Sequence, residues 1–258
     1  MLSSLPCLAN KPDDEFAMTF QLQPVKNDEP SLAGAPMIEA AQKLFAYLGE
    51  HDAIGLTKSK AFQRKFVHWA AAEFAWPGWD EDRLFLVNKV LNEYDFPPLE
   101  ALHFILLKRR LIRHDKLTCR LTKAGRAIAD KPGDLFNLIA PFWLFEVDHA
   151  ASSRVPEALL GNWSVFLGVL NEEAAQGLTC GTLRQILYGP PDAAEPYDRV
   201  PGLIWSQVLN PLCWLGLLAE VKIEERQHLA DRHYVTTGLW DAAFSFPVDH
   251  ERASLTRH

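Results

Sequence analysis

The chain has 258 residues, of which 48% are hydrophobic and 23% charged, and a formal net charge of −7. That length suits one large domain or two ordinary ones, and an acidic balance of this kind makes a poor generic binder of nucleic acid. No apolar run reaches the roughly 20 residues that span a bilayer, and Met1-Leu2-Ser3-Ser4-Leu5-Pro6 lacks the basic start and apolar block of a signal peptide, so a cytoplasmic location is expected.

Residues 1–35 are rich in Pro, Asn, Asp and Ser and read as a flexible N-terminal arm, in which Phe16 to Leu22 could add one edge strand. A first unit is expected over residues 36–130. Ile38, Ala41, Leu44, Phe45 and Leu48 recur at helical spacing, Gly49 and Asp52 break that helix, and Ile54-Gly55-Leu56 suits a short strand. Thr57 is a candidate N-cap for the next helix, whose apolar face carries Phe62, Phe66, Trp69 and Ala70. After Trp76-Pro77-Gly78-Trp79, Asp80 can cap an added helix with Leu84, Val87, Val90 and Leu91 on its apolar face. Asp95-Phe96-Pro97-Pro98 forces an extended turn. Leu99 to Lys108 is the most apolar helix of the unit, followed by a hairpin that turns at His114-Asp115-Lys116 and a last helix capped by Thr122.

Residues 131–158 form a connecting segment too apolar to be free, with Leu135, Leu138, Ile139, Phe142, Trp143 and Phe145 expected to pack between the repeats. A second unit over residues 159–250 repeats the order. Gly177-Leu178-Thr179 matches Gly55-Leu56-Thr57, and a proline-rich loop from Gly189 to Pro201 replaces the added helix. A long apolar helix runs through Ile204, Val208, Leu212, Leu215 and Leu218, where Pro211 should kink or break it. A hairpin and a helix starting at Thr236 or Thr237 complete the unit, and residues 251–258 read as a tail. Both units end on one phrase, Phe145-Glu146-Val147-Asp148-His149 and Phe246-Pro247-Val248-Asp249-His250. Helix, short strand, helix, helix, hairpin is the winged-helix order. The expected fold is therefore α+β, predominantly α, with tandem winged-helix repeats.

The copies differ in charge. Lys108, Arg109, Arg110, Arg113, Lys116, Arg120, Lys123 and Arg126 stand with a single acid, Asp115, so this stretch is +7 while the remainder of the chain is −14. Wing cations of this kind suit phosphate or an acidic partner, with base reading left to the third helix. That helix offers Glu100 and His103 near its start, and none of the Arg, Asn, Gln or Lys that usually read base edges. The equivalent second stretch holds Glu220, Lys222, Glu224, Glu225, Arg226, Asp231 and Arg232, four acids against three bases. An electrostatic role is thus limited to the first wing.

Nothing points to catalysis or a cofactor, and none is expected. The Asp148-His149 and Asp249-His250 pairs have no nucleophile near them in sequence, and their repetition reads as architecture. Cys7, Cys119, Cys180 and Cys213 are far apart without a CxxC pair, and His228 and His233 are separated by five residues rather than the four of a helical metal pair. The glycines form neither phosphate-loop pattern, and the eight tryptophans suit core and interface.

Gly55-Leu56-Thr57-Lys58-Ser59, Val87 to Glu93, Asp95-Phe96-Pro97-Pro98-Leu99 and Leu121 to Arg126 resemble a set of mostly uncharacterised bacterial winged-helix proteins over residues 38–130, which implies the fold and no reaction. Ala41-Gln42-Lys43-Leu44-Phe45 resembles the motif by which bacterial replication proteins insert a Leu-Phe pair into the β sliding clamp. It keeps the Leu-Phe end of the usual Gln-Leu-Ser/Asp-Leu-Phe form and departs at Ala41 and Gln42. That resemblance implies a non-enzymatic, SocB-like toxin that stops replication by engaging the clamp, with Leu44 and Phe45 as anchors and an antitoxin as a further partner. The alternative is a DNA-binding regulator that uses the 108–126 wing.

Overall fold

A computed structural model describes residues 20–151, 157–191, 197–221 and 228–247. Their contacts divide them into two compact units, one of residues 26–143 and the other of residues 20–25 with 144–247. Each is α+β, with helices around a small antiparallel sheet. The first strand, β1 (Gln21–Leu22), belongs to the second unit.

The first unit begins with α1 (Pro36–His51), which buries Met37, Ile38, Ala41, Leu44, Phe45 and Leu48 as one apolar stripe. Strand β2 (Ile54–Gly55) follows. The chain then closes a tight loop in which Thr57 N–H donates to the Ala61 carbonyl, and Leu56 bridges back to Phe62. Thr57 is therefore a loop residue, its hydroxyl oxygen accepting from Ala61 N–H at 3.1 Å, and α2 (Arg64–Phe74) starts only after Gln63. Asp80 caps α3 (Glu81–Val87) as expected, with Arg83 N–H donating to its carboxylate at 3.0 Å. The anticipated apolar face of 81–92 breaks, because α3 stops where Asn88 donates to the Leu84 carbonyl through both backbone and side chain. Leu84 and Leu91 are buried, whereas Val87 and Val90 face outward.

Next comes α4 (Pro97–Lys108), with eight of its residues buried. It leads into a hairpin of β3 (Ile112–Asp115) and β4 (Thr118–Leu121), against which β2 pairs to give the sheet order β2-β4-β3. Thr122 caps α5 (Lys123–Ile128) by accepting from Gly125 N–H at 3.0 Å, while its own hydroxyl lies within 2.9 Å of the Arg110 and Leu111 carbonyls. Finally α6 (Pro132–Pro141) buries Leu135, Phe136 and Ile139 against this unit. Residues 132–141 are therefore core of the first unit, not connector.

In the second unit, α7 (Trp163–Glu173) leads to β5 (Leu178–Thr179) and α8 (Cys180–Tyr188), which Thr179 caps at 2.9 Å. The long helix anticipated around Pro211 is divided into α9 (Val200–Ile204), a wide turn over Trp205–Leu209 and α10 (Asn210–Trp214). The backbone stays right-handed helical throughout and widens to a π-helical turn just before the proline, which lacks the N–H that the preceding turn would use. Hairpin strands β6 (Leu218–Val221) and β7 (His233–Thr236) give the order β5-β7-β6, and Thr237 caps α11 (Gly238–Ala243). The strand order of the first unit thus recurs position for position. A last strand, β8 (Phe244–Ser245), pairs with β1. Phe20 packs on Phe145, Phe244 and Phe246, and Val25 is buried.

Within the expected flexible arm, residues 20–25 belong to the second unit, while Leu32 and Ala35 are buried just before α1. Residues 1–19, the Val248-Asp249-His250 end of the repeated phrase and the 251–258 tail lie outside the described residues. In the first copy of that phrase, the Asp148 carboxylate accepts from Ala150 and Ala151 N–H, and His149 meets the edge of Trp163. Both act as a turn and packing junction.

Gly125 sits where a methyl group would lie 2.3 Å from the Leu111 carbonyl oxygen, so α5 approaches the base of the hairpin too closely for any side chain. Gly125→Ala is expected to lower unfolding free energy by about 1–3 kcal/mol, read as a drop in urea midpoint at an unchanged slope.

Candidate functional site

The basic residues gather on the hairpin and its flanks. Lys108 and Arg109 end α4, Lys108 over the Phe104 ring at 5.5 Å and Arg109 over Phe142 at 5.4 Å. Arg110 adopts φ 57° and Lys116 φ 53° at the two bends that open and turn the hairpin. Arg113 and Lys116 are exposed, as are Lys123 and Arg126 on α5, and Arg120 is about half exposed. Asp115 lies 3.9 Å from Arg113 and 3.8 Å from Arg120, ion pairs too exposed and too long to remove the local excess of positive charge. The cluster named from the sequence is spread over the end of α4, the hairpin and α5.

The structure adds a residue to it. Lys60, at φ 69° in the tight loop after β2, donates its ammonium to the Lys116 carbonyl at 2.6 Å. Leu56 N–H donates to the Leu117 carbonyl at 2.8 Å. Loop 57–61 and the hairpin turn are therefore one surface, which Lys58 and Lys60 continue toward exposed Arg64 and Lys65 at the start of α2. No local sequence signal announces this, because the two segments are more than fifty residues apart.

Beneath that surface runs a buried polar chain. Glu93 is 2% and His103 0% exposed. One Glu93 oxygen accepts from the Phe62 N–H, and the other lies 2.6 Å from His103 Nδ1. His103 Nε2 is 2.9 Å from His114 Nε2 on β3, and the His103 ring stacks on Phe62 with centroids 3.8 Å apart. A neutral or singly protonated pair can share one proton across that His–His contact, whereas two imidazolium rings would set two N–H groups face to face. The chain joins the 57–63 loop, the segment before α4, α4 itself and the hairpin. The sequence hint was a single His in an otherwise apolar helix, which needs a buried partner, but nothing local identified Glu93.

Burial, then His103, then Lys60 hold His114 below the ordinary imidazole value of 6.5. Burial, then Glu93, pushes the Cys119 thiol up to about 12, and burial likewise raises Cys180 to about 12. These thiols stay protonated and inert. Among the described residues no group of His, Cys, Asp and Glu is arranged to hold a metal ion, and no helix is long and apolar enough to cross a membrane.

The clamp-motif candidates are placed elsewhere. Leu44 is 0% and Phe45 2% exposed, and Gln42 reaches the Ala129 carbonyl at 3.4 Å. Leu44 and Phe45 fill the interior face of α1, so no partner's pocket can take them while the helix is folded. This corrects the docking role expected for Gln42, Leu44 and Phe45. The third helix, in which the sequence offers no base-reading side chains, is largely core: Pro98, Leu99 and Ala101 to Leu106 are buried, and burial followed by Glu93 raises Glu100 above its ordinary range. In the second hairpin, Arg232 lies 3.6 Å from Glu220. Lys222, Glu224, Glu225 and Arg226 lie outside the described residues.

Two small α+β units with the same strand order, one carrying a basic hairpin, define the class. Residues 33–134 match the Y4jL N-terminal domain and residues 153–238 the y4jL C-terminal domain, so each match falls chiefly within one unit. The chain is 38% identical over 167 residues to "Uncharacterized protein y4jL" of Sinorhizobium fredii (strain NBRC 101917 / NGR234), an alignment covering 64% of this chain and 75% of that protein. The chain belongs to the y4jL family. No solved structure matches it.

The lowered His114 value fixes a sign. In the folded state this ring resists its proton, so the unfolded chain binds more protons just below pH 6.5 and stability falls as pH drops from there through the folded value. His114→Gln is expected to flatten that part of the curve of unfolding free energy against pH, measured by urea titrations between roughly pH 5 and 8.

Proposed function

We propose that this protein is a non-enzymatic, tandem winged-helix nucleic-acid-binding protein whose first unit grips phosphate through the β3–β4 hairpin and loop 57–61. The observation that carries this reading is the continuous cationic surface joined by the Lys60 contact to Lys116. A polyanion gains most from such a surface, because each neutralised phosphate releases condensed counterions. With α4 buried, the contacts go to the backbone rather than to base edges, so the binding is largely indifferent to sequence. The mixed signs of the second hairpin assign it no comparable part.

A protein-docking reading has its own support, away from α1. Leu86 and Val87 at the end of α3 are 83% and 85% exposed, and Val90 follows at 45%. A cluster of this kind marks a contact surface more often than a chance exposure. Leu86→Asp with Val87→Asp should then abolish capture of a partner from a host lysate without loss of stability; capture that persists would exclude this surface.

For the nucleic-acid reading the test is salt. About six phosphate contacts predict a log–log slope of affinity against salt near −5. Arg113→Gln with Lys116→Gln and Arg120→Gln should weaken binding evenly across sequences and make the slope shallower by about 1 for each phosphate-binding cation removed. A flat salt response would rule out a phosphate-driven binder.

A further inference from the structure

The same surface carries a feature that a duplex-binding wing does not need. Beyond Lys60 it opens into a groove of about 520 Å³ lined by Thr57, Ser59, Arg64, Lys65, Asn92 and Tyr94, with Glu93 at its floor. Tyr94 stands 69% exposed at the groove's edge. It is braced where Asn92 Nδ2 donates to the Tyr94 hydroxyl at 3.2 Å, while Asn92 also accepts from Arg64 Nε at 2.9 Å. One network therefore sets an aromatic ring and a guanidinium on one wall.

The acids in this region are held by hydrogen bonds within the protein. Both Glu93 oxygens are engaged, by Phe62 N–H and by His103, and Asp95 accepts from the Asn92 backbone and side-chain N–H groups. Arg64 and Lys65 are the two cations of the lining, and both are exposed. An exposed ring beside phosphate-binding cations suits an unstacked base followed by its backbone, since base–aromatic stacking tolerates any sequence. A paired base inside a duplex has no free face to offer, and α4, which would enter a duplex groove, has eight of its twelve residues buried.

We propose that the groove between loop 57–63 and residues 92–94 receives single-stranded nucleic acid, with a base stacked on Tyr94 and the adjoining phosphates on Arg64 and Lys65. This deepens the phosphate-binding reading above and rests on it. The path then runs from the groove over Lys60 to Lys116 and the hairpin.

The test uses the full chain and a labelled oligo-dT of about 12 nucleotides, within the usual span of a single-strand site, alone or annealed to oligo-dA, followed by fluorescence anisotropy. The single strand should bind more tightly than the duplex. Tyr94→Ala should weaken single-strand binding by about five- to a hundredfold and leave duplex binding unchanged, while Tyr94→Phe, which keeps the ring but loses the contact with Asn92, should lose clearly less than Tyr94→Ala. Equal affinity for both forms, or a Tyr94→Ala variant that binds the single strand as the parent does, would overturn the proposal while hairpin-dependent binding kept the broader reading intact. Absence of binding to either oligonucleotide would overturn both.

Discussion

One buried carboxylate holds the first unit's basic face in shape. Glu93 accepts from the Phe62 N–H, which fixes where the loop after β2 ends, and it pairs with His103, which fixes the rotamer of the one polar group on the interior of α4. His103 in turn meets His114 on the hairpin. A carboxylate removed from water is costly unless its oxygens are engaged, so these contacts must form together or not at all. The cations of the loop and of the hairpin reach one surface because the polar chain beneath them has one arrangement.

The same constraint accounts for how little of α4 faces outward. Most of its side chains are instead committed to the core, at Pro98, Leu99 and Ala101 to Leu106. What remains outside is charge on bends and strands, at Lys60, Arg110, Arg113 and Lys116, much of it on residues with positive φ. Such cations are spaced by the turn geometry of the loop and the hairpin. The second unit keeps the strand order and the threonine cap after the hairpin without the charge, so scaffold and electrostatics are separable in this chain.

Local chemistry was legible in the sequence. Asp80, Thr122, Thr179 and Thr237 cap the helices they precede because a cap needs only its next few residues. The basic hairpin was legible for the same reason. Thr57 misled because the loop after it closes on Ala61 before α2 can begin. Leu44 and Phe45 misled because a short linear motif and the apolar stripe of a helix are written with the same residues, and only packing tells them apart. Contacts across long separations were not legible: β1 pairing with β8 from the other end of the chain, Lys60 on the hairpin turn, and Glu93 with its two histidines.

The most direct test of the central claim is a residue-resolved NMR titration of the chain with a single-stranded oligonucleotide. The predicted result is that amide shifts concentrate in residues 57–65, 92–94 and 110–126. Shifts confined to the outer side of α1 or to the second hairpin around residues 229–236, with the basic hairpin unmoved, would contradict it.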